Sequence, residues 1–274
     1  IFVLEDCAQS LGAHAFGIPG SSQTSLPEGC YKLGTFGDIG TFSLQLNKDI
    51  TAGEGGMVVT RDKELNDRVD ALHNAGYIKK EKNNINWYGD IPYGWGHGRR
   101  MSELQGAVAR VQLKKLDTIL DSIRKNHSFF EEFFKKQGIK LRKRAYQNNP
   151  GDTGYYLCFH LPENLDDNTA ISKGREIAKD LKDKGFNVWF LHDFEVHIYY
   201  NIEPLVKKFP MNDGSPWEDP KNSFHTQYKY DRGALPNLDH LLIRTIGLNM
   251  PSKMSDNTRD NMMNDLLVTL KNLY

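Results

Sequence analysis

The sequence predicts an α/β protein, and three observations carry that expectation. An apolar run, Ile1–Leu4, ends in the acids Glu5 and Asp6, as a parallel strand ends at the ligand-binding edge of an open sheet. The stretch Thr41–Gly56, TFSLQLNKDITAGEGG, reads as a short strand, a lysine at Lys48, and a glycine-punctuated turn into a second strand, Met57–Thr60. Beyond it, segments with helical apolar spacing alternate with short strand-like runs.

Taken in order, Ile1–Leu4 is expected to be a central strand covered on both faces, and Ser10–Phe16 is the short segment that follows it. Gly17–Gly34 is rich in Gly, Ser and Pro and reads as a loop. Asp62–Leu72 reads as a helix with Leu65, Val69 and Leu72 on one face. Asn74–Arg100 has little periodicity, and a stretch of that length suits an ordered loop at an active-site entrance or a dimer seam. Ser102 and Gln105 form a capping box, opening a helix whose apolar face is Leu104, Ala107, Val108 and Val111. A second helix carries Leu116, Ile119, Leu120, Ile123, Phe130 and Phe134 and stops at Gly138. His127 lies near that stripe and reads as a core or rim histidine. The C-terminal part predicts a strand at Tyr155–Leu161, a helix at Thr169–Lys184 ended by Gly185, a strand at Val188–Leu191 and a closing helix at Asn257–Leu273.

Lysine plus arginine equals aspartate plus glutamate at 35 each, so no global field favours nucleic acid or an anionic membrane surface. The run Lys140–Arg144 is the one basic patch, and it reads as a solvated edge. Cys7, Cys30 and Cys158 are odd in number and widely spaced. They make neither a disulfide framework nor a paired metal motif, which fits a reducing cytoplasm. No stretch approaches a membrane span, and no signal peptide is recognisable.

Two residues suggest chemistry. Burying a lone ammonium costs several kcal/mol. Lys48, set between two strands, is therefore either a surface lysine in a loop or a desolvated amine that attacks a carbonyl. Asp6 either caps the segment after its strand or presents a carboxylate at the ligand edge. A carboxylate and a lysine on successive strand ends are what pyridoxal phosphate requires. A metal reading of Phe190–Tyr200, with His192, Asp193, Glu195 and His197, matches no standard spacing. Strand alternation would also send His192 and Asp193 to opposite faces, so no metal is expected.

Three blocks, EDCAQSLGA, GTFGDIGTFSLQLNKDITAGEGGMVVTRD and RRMSELQGAVARVQLKKLD, give the chain a family likeness. In that order and spacing they resemble the DegT/DnrJ/StrS family of sugar aminotransferases, pyridoxal-phosphate enzymes of the aspartate aminotransferase fold (fold type I). The resemblance is strong from Ile1 to Asp117 and weak beyond. It implies that Lys48 is the Schiff-base lysine, Asp6 the partner of the ring nitrogen, Gln9 a contact of the ring's phenolic oxygen, and Ser43 a phosphate-binding hydroxyl. It also implies the C-terminal part of a large mixed-sheet domain with linking helices over 1–137 and a small α/β domain over 138–274.

The chain departs from the family's GxNxRM segment, where an asparagine reaches the neighbouring subunit's cofactor phosphate. Here the segment is Gly96-His97-Gly98-Arg99-Arg100-Met101, and Gly98 stands at the asparagine position. His97 or Arg99 would take over the phosphate contact. Family members also carry a substantial portion before the Asp6 strand, so the chain reads as lacking the N-terminal part. His197 or Tyr199 is expected to touch a sugar hydroxyl, and Arg232 or Arg244 to bind an anionic group or pair with acids.

The expected activity is transfer of an amino group from an amino acid, glutamate by expectation. The acceptor is a keto or aldehyde carbon of a sugar, a sugar nucleotide or a keto-deoxy sugar acid. The setting is a cytoplasmic homodimer with shared sites, serving lipopolysaccharide or other cell-surface polysaccharide synthesis. A dehydratase of the same family would carry histidine in place of Lys48. The rival from another class is a non-catalytic truncated homologue with a structural or regulatory role.

Overall fold

The computed structural model describes residues 1–16, 30–77, 79–81, 84–85, 93–142, 151–271 and 273. Most of the expected Gly17–Gly34 loop, part of Asn74–Arg100, and Lys143 and Arg144 lie outside the described residues. In chain order the strands and helices begin with β1 (Leu4–Asp6), β2 (His14–Phe16), β3 (Cys30–Lys32), β4 (Ile39–Ser43), β5 (Gly56–Val59) and α1 (Lys63–His73). A short pair, β6 (Lys79–Glu81) and β7 (Asn84–Ile85), precedes α2 (Glu103–Leu113) and α3 (Leu116–Lys136). Then come β8 (Tyr156–His160), α4 (Asp167–Asp183), β9 (Val188–Phe190), α5 (Glu203–Val206), α6 (Pro236–Leu242), β10 (Thr245–Asn249) and α7 (Asp256–Leu270). The chain divides into two units, one of Ile1–Arg124 with Ala145–Gly154, the other of Lys125–Arg144 with Tyr155–Tyr274.

In the first unit a three-stranded sheet has the order β1-β4-β5. β1 and β4 are parallel, with Asp6 opposite Thr41, and β5 returns antiparallel to β4 with Gly56 opposite Ser43. The Glu5 carboxylate is a structural clasp, accepting backbone N–H groups from Gly34 (2.7 Å), Phe36 (2.6 Å) and Gly37 (2.6 Å). Gly34 has φ +87, and a Cβ there would meet the Phe42 ring at 2.4 Å, so this turn requires glycine. The core joins Leu44 and Ile50 from the lysine turn to Ala109, Leu116 and Leu120. Fully burying one such Leu or Ile contributes about 1.5–3 kcal/mol.

Two packing expectations are overturned in this unit. Ile1–Leu4 is not covered on both faces: only Leu4 is in the strand, and Phe2 is 81% exposed. β1 stands at the end of the described sheet, where β4 is its one partner. On α2 the apolar face is exposed, with Leu104 at 82% and Val111 at 52%. The helix turns Ala109 inward instead, with Gln105 and Gln112 half-buried on the same side. The capping box explains this orientation. Gln105 accepts from Ser102 N–H (3.0 Å) and also donates through Nε2 to the Glu54 carbonyl (3.0 Å), which fixes that side against the glycine turn.

In the second unit all strand pairing is antiparallel, in the order β8-β10-β9. The central strand, β10, carries Gly247 at its middle. A Cβ at Gly247 would lie 2.1 Å from the Trp189 ring, so the glycine makes room for the indole. Trp189 Nε1 in turn donates to Asn249 Oδ1 at 2.8 Å. The helix expected at Thr169–Lys184 is α4, N-capped by Asp166 and closed by Gly185 at φ +87. The later half of α3 buries Phe130 and Phe134, with Phe134 stacked on Phe159 at 5.0 Å. His127 is buried there, with Nδ1 3.7 Å from the Glu131 carboxylate.

Candidate active site

Because β1 and β4 run parallel, Asp6 and the turn that follows Ser43 leave the sheet at the same edge. Asp6 is exposed, and its Oδ1 accepts the Ala8 N–H at 3.0 Å, while its other oxygen has no partner among the described residues. Gln9 is exposed on the turn just beyond, closed by Ser10 N–H donating to the Cys7 carbonyl (3.1 Å). Burial pushes the Cys7 thiol up, which makes it a packing group and not a nucleophile.

The lysine turn is fixed by a local network. Ser43 Oγ accepts from Gln45 N–H (3.3 Å), and Lys48 N–H donates to the Gln45 carbonyl (3.0 Å). The Leu44 carbonyl accepts from Ala52 N–H (2.9 Å) and Thr51 Oγ1 (3.1 Å), and Leu44 N–H donates to Gly55 O (2.9 Å). Leu44 at 1% and Ile50 at 2% exposure anchor both ends in the core, so Lys48 and Asp49 are held between two buried residues. Lys48 itself is half-buried, and its amine makes no hydrogen bond or ion pair among the described residues. Asp49 was not singled out in the sequence. Its Oδ1 is buried without a partner, and burial pushes its carboxyl up from 3.8 to about 6 against the opposing charges of Lys48 and Arg124. The legible signal was an acid directly following a candidate nucleophilic lysine.

The segment that carries the departure from the family pattern is docked on the carboxyl end of α1. His97 N–H donates to Leu72 O (2.7 Å) and Arg99 N–H to His73 O (2.8 Å), using carbonyls that a helix end leaves free. A Cβ at Gly96 would lie 2.3 Å from Gly76 N, so that position admits only glycine, whereas Gly98 at φ +39 faces open space. His97 and Arg99 are both exposed. The segment reaches the glycine turn after Lys48 through Met101, whose Sδ would lie 2.9 Å from a Cβ on Gly55.

His197 and Tyr199 belong to the second unit. His197 is exposed, its ring 5.3 Å from that of Phe194. The Tyr199 hydroxyl donates to the Asp239 carboxylate (3.0 Å to Oδ1) and accepts from Leu235 N–H (3.3 Å), which fastens the loop before α6. Arg244 is 4% exposed, its Nη2 donating to Leu165 O (2.6 Å) and Asp167 Oδ1 (3.3 Å). Arg232 is exposed. The expectation that His192 and Asp193 diverge is overturned. Leu191–Asp193 is a 3-10 turn and not a strand, which brings His192 Nδ1 to 2.9 Å from Asp193 Oδ1. Asp193 also accepts both Nε and Nη2 of Arg175, so this cluster is a surface ion-pair network. Among the described residues no group of three or more His, Cys, Asp or Glu is placed to hold a metal ion, and no helix is long and apolar enough to cross a membrane.

The donor set of the first unit fits pyridoxal phosphate. An unpaired amine suits its aldehyde, a carboxylate with a free oxygen suits its ring nitrogen, and a hydroxyl on the adjoining turn suits its phosphate.

A family model described as the DegT/DnrJ/EryC1/StrS aminotransferase family matches residues 1–210. GDP-perosamine synthase from Escherichia coli O157:H7 is 40% identical over 120 residues, covering 44% of this chain and 28% of that protein. L-glutamine:2-deoxy-scyllo-inosose aminotransferase from Streptomyces kanamyceticus is 32% identical over 169 residues, covering 60% of this chain and 36% of that one. An aminotransferase structure from Psychrobacter cryohalolentis aligns with a TM-score of 0.69 at 20% identity, a likeness of fold, over 100% of this chain and 62% of that one. The chain thus matches between 28% and 62% of the length of these three relatives. With the family model covering residues 1–210 of 274, and the Lys48 turn standing at one edge with Asp6, the chain belongs to the DegT/DnrJ/EryC1/StrS aminotransferase family.

Proposed function

We propose that this chain serves a pyridoxal-phosphate-dependent aminotransferase that moves an amino group onto a carbonyl carbon of a sugar, a sugar nucleotide or a keto-deoxy sugar acid. Glutamate is the donor in this reading. The observation that supports it is the parallel register of β1 and β4, by which Asp6 and the start of the turn that carries Lys48 leave the sheet at one edge. When bound, pyridoxal phosphate supplies an electron sink for charge developing on the substrate carbon. Lys48 Nζ would hold the cofactor's aldehyde and would carry a proton to and from the reacting carbon. An amine positioned in this way acts at an effective molarity of about 10⁵ M or more. The free Asp6 oxygen would accept a charge-assisted hydrogen bond from the ring nitrogen. Ser43 Oγ would donate to the phosphate, and Gln9 would contact the ring's phenolic oxygen. His197 and Tyr199 are the residues proposed to touch a sugar hydroxyl, and Tyr199 would have to release Asp239 to donate to one.

Transfer from ¹⁵N-glutamate is the direct test. Protein loaded with pyridoxal phosphate should deliver the label to a keto sugar nucleotide, seen as a mass shift in the amino sugar product. Loaded protein that transfers no label to any keto sugar, sugar nucleotide or sugar acid offered would favour the non-catalytic reading.

The same proposal places the enzyme in the cytoplasm, in the synthesis of cell-surface polysaccharide, as a homodimer whose sites are shared. A twofold interface repeats one patch on both chains, so two sites form per dimer. Arg99 is the residue proposed to reach the neighbouring phosphate in place of the asparagine, because a guanidinium matches phosphate oxygens bidentately. Arg99→Ala is expected to lose the cofactor on dialysis about tenfold faster, the loss of one charge-assisted contact. Mixing it with Lys48→Ala protein should recover some activity, since hybrid dimers contain one intact site. Unchanged retention, or an active monomer, would rule the shared site out.

A further inference from the structure

We infer that the outward stripe of α2 pairs two copies of this chain, antiparallel, about a twofold axis that passes between Ala107 and Val108. The pairing rests on the homodimer of the functional reading and gives it a surface.

The helix is inside out. Its inward side offers Ala109, with Gln105 and Gln112 half-buried, while its outward side carries the larger apolar side chains. Leu104 is 82% exposed, Val108 48% and Val111 52%, and Ala107 is exposed among them. These positions recur at the spacing of one helical face, the pattern of a helix that packs against an apolar partner. Scattered apolar side chains are ordinary on a surface, but a continuous stripe marks an interaction site. The helix cannot roll to hide it, because Gln105 accepts from Ser102 N–H (3.0 Å) and donates to Glu54 O (3.0 Å).

The charges on the same helix select the occupant. Glu103, Arg110 and Lys114 are all exposed, and their spacing puts them in one row along the flank of the stripe. The acid stands at the amino end of that row and the two cations at the carboxyl end. A parallel copy would set acid against acid and cation against cation. An antiparallel copy sets Glu103 against the partner's Arg110 and the partner's Lys114, and the twofold repeats this at the other end. The two helix dipoles then also run head to tail. Leu104 meets the partner's Val111, and Ala107 meets the partner's Val108. The small side chain at the centre lets the axes approach to the roughly 8–10 Å of packed helices. A second copy therefore carries the complement of this face in both shape and charge.

The test reads assembly and needs no cofactor. Purified protein should be a dimer by light scattering after gel filtration. Leu104→Glu changes a side chain that stands clear of the core, so it should leave the circular dichroism unchanged. It should raise the dimer dissociation constant about a hundredfold, because the twofold places the change in the contact twice. Glu103→Lys should raise it about tenfold, and adding Arg110→Glu with Lys114→Glu should restore it. Antiparallel order is read by oxidative crosslinking in a Cys30→Ser background, since Cys7 and Cys158 are buried. Ala107→Cys should crosslink to its own copy. Lys114→Cys should not, because its two copies stand about 20 Å apart along the axes. A dimer that Leu104→Glu leaves intact, or equal crosslinking at both positions, overturns the inference while the homodimer itself stands. A wild-type monomer overturns both, and an Ala107→Cys monomer slow to react with a thiol reagent has another occupant on this face. Transfer of ¹⁵N by such a monomer would keep the aminotransferase reading, so the failures are told apart.

Discussion

Lys48→Ala is expected to abolish covalent cofactor attachment and to lower amino transfer by roughly five orders of magnitude, the scale of a well-oriented amine's effective molarity. The change removes a half-buried side chain whose amine makes no bond in the described residues, so the fold is expected to survive. Circular dichroism and thermal melting should match the wild type within about 1 kcal/mol. Borohydride reduction of the loaded wild type should fix the cofactor on the peptide containing Lys48 and remove the visible band. The variant should acquire no reducible adduct. An adduct mapped to Lys32 or Lys115 in the wild type would sink the assignment. The contrast between intact stability and lost chemistry is what separates a catalytic amine from a structural one.

Asp6→Asn keeps the shape of the side chain and removes its charge. The Oδ1 bond from Ala8 N–H at 3.0 Å can be kept by the amide oxygen, so the turn after β1 is expected to hold. What disappears is the charge-assisted bond to the ring nitrogen, and such bonds contribute about 1.5–3 kcal/mol. Turnover should fall at least about tenfold with the cofactor still attached to Lys48, and a half-reaction with glutamate followed in a stopped-flow spectrometer would show it. Unchanged half-reaction rates would reject Asp6 as the ring-nitrogen partner. An intermediate result, with the cofactor retained and the rate lowered about twofold, would point to the turn and not the ring.

The elements that were legible in the sequence are those whose signals are local. Ser102 caps α2 by accepting the backbone N–H of Gln105, and Gly138 and Gly185 adopt the positive φ that ends a helix. The glycine-rich turn after Lys48 and the acid at the end of β1 were likewise visible, because strand ends and turns are written in a few adjacent residues. What the sequence left unread depends on partners distant in the chain. The expected apolar face of α2 is exposed because Gln105 bonds Glu54 O, 51 residues away, and that bond sets the rotation of the helix. Gly247 looks like a strand breaker until the Trp189 indole is placed over it. Leu191–Asp193 turns where alternation predicted a strand, and so joins His192 to Asp193.

For function the same division holds. The sequence by itself determined that a carboxylate ends one strand and a lysine stands in the turn after another, within blocks that resemble those of one family. Only the tertiary structure decided that the strands are parallel and adjacent, which puts Asp6 and the start of the turn that carries Lys48 at one edge. It also decided that Asp49 Oδ1 is buried without a hydrogen-bond partner among the described residues. Burial of a single oxygen depends on where Leu44, Ile50 and α3 meet, and no spacing rule along the chain encodes that.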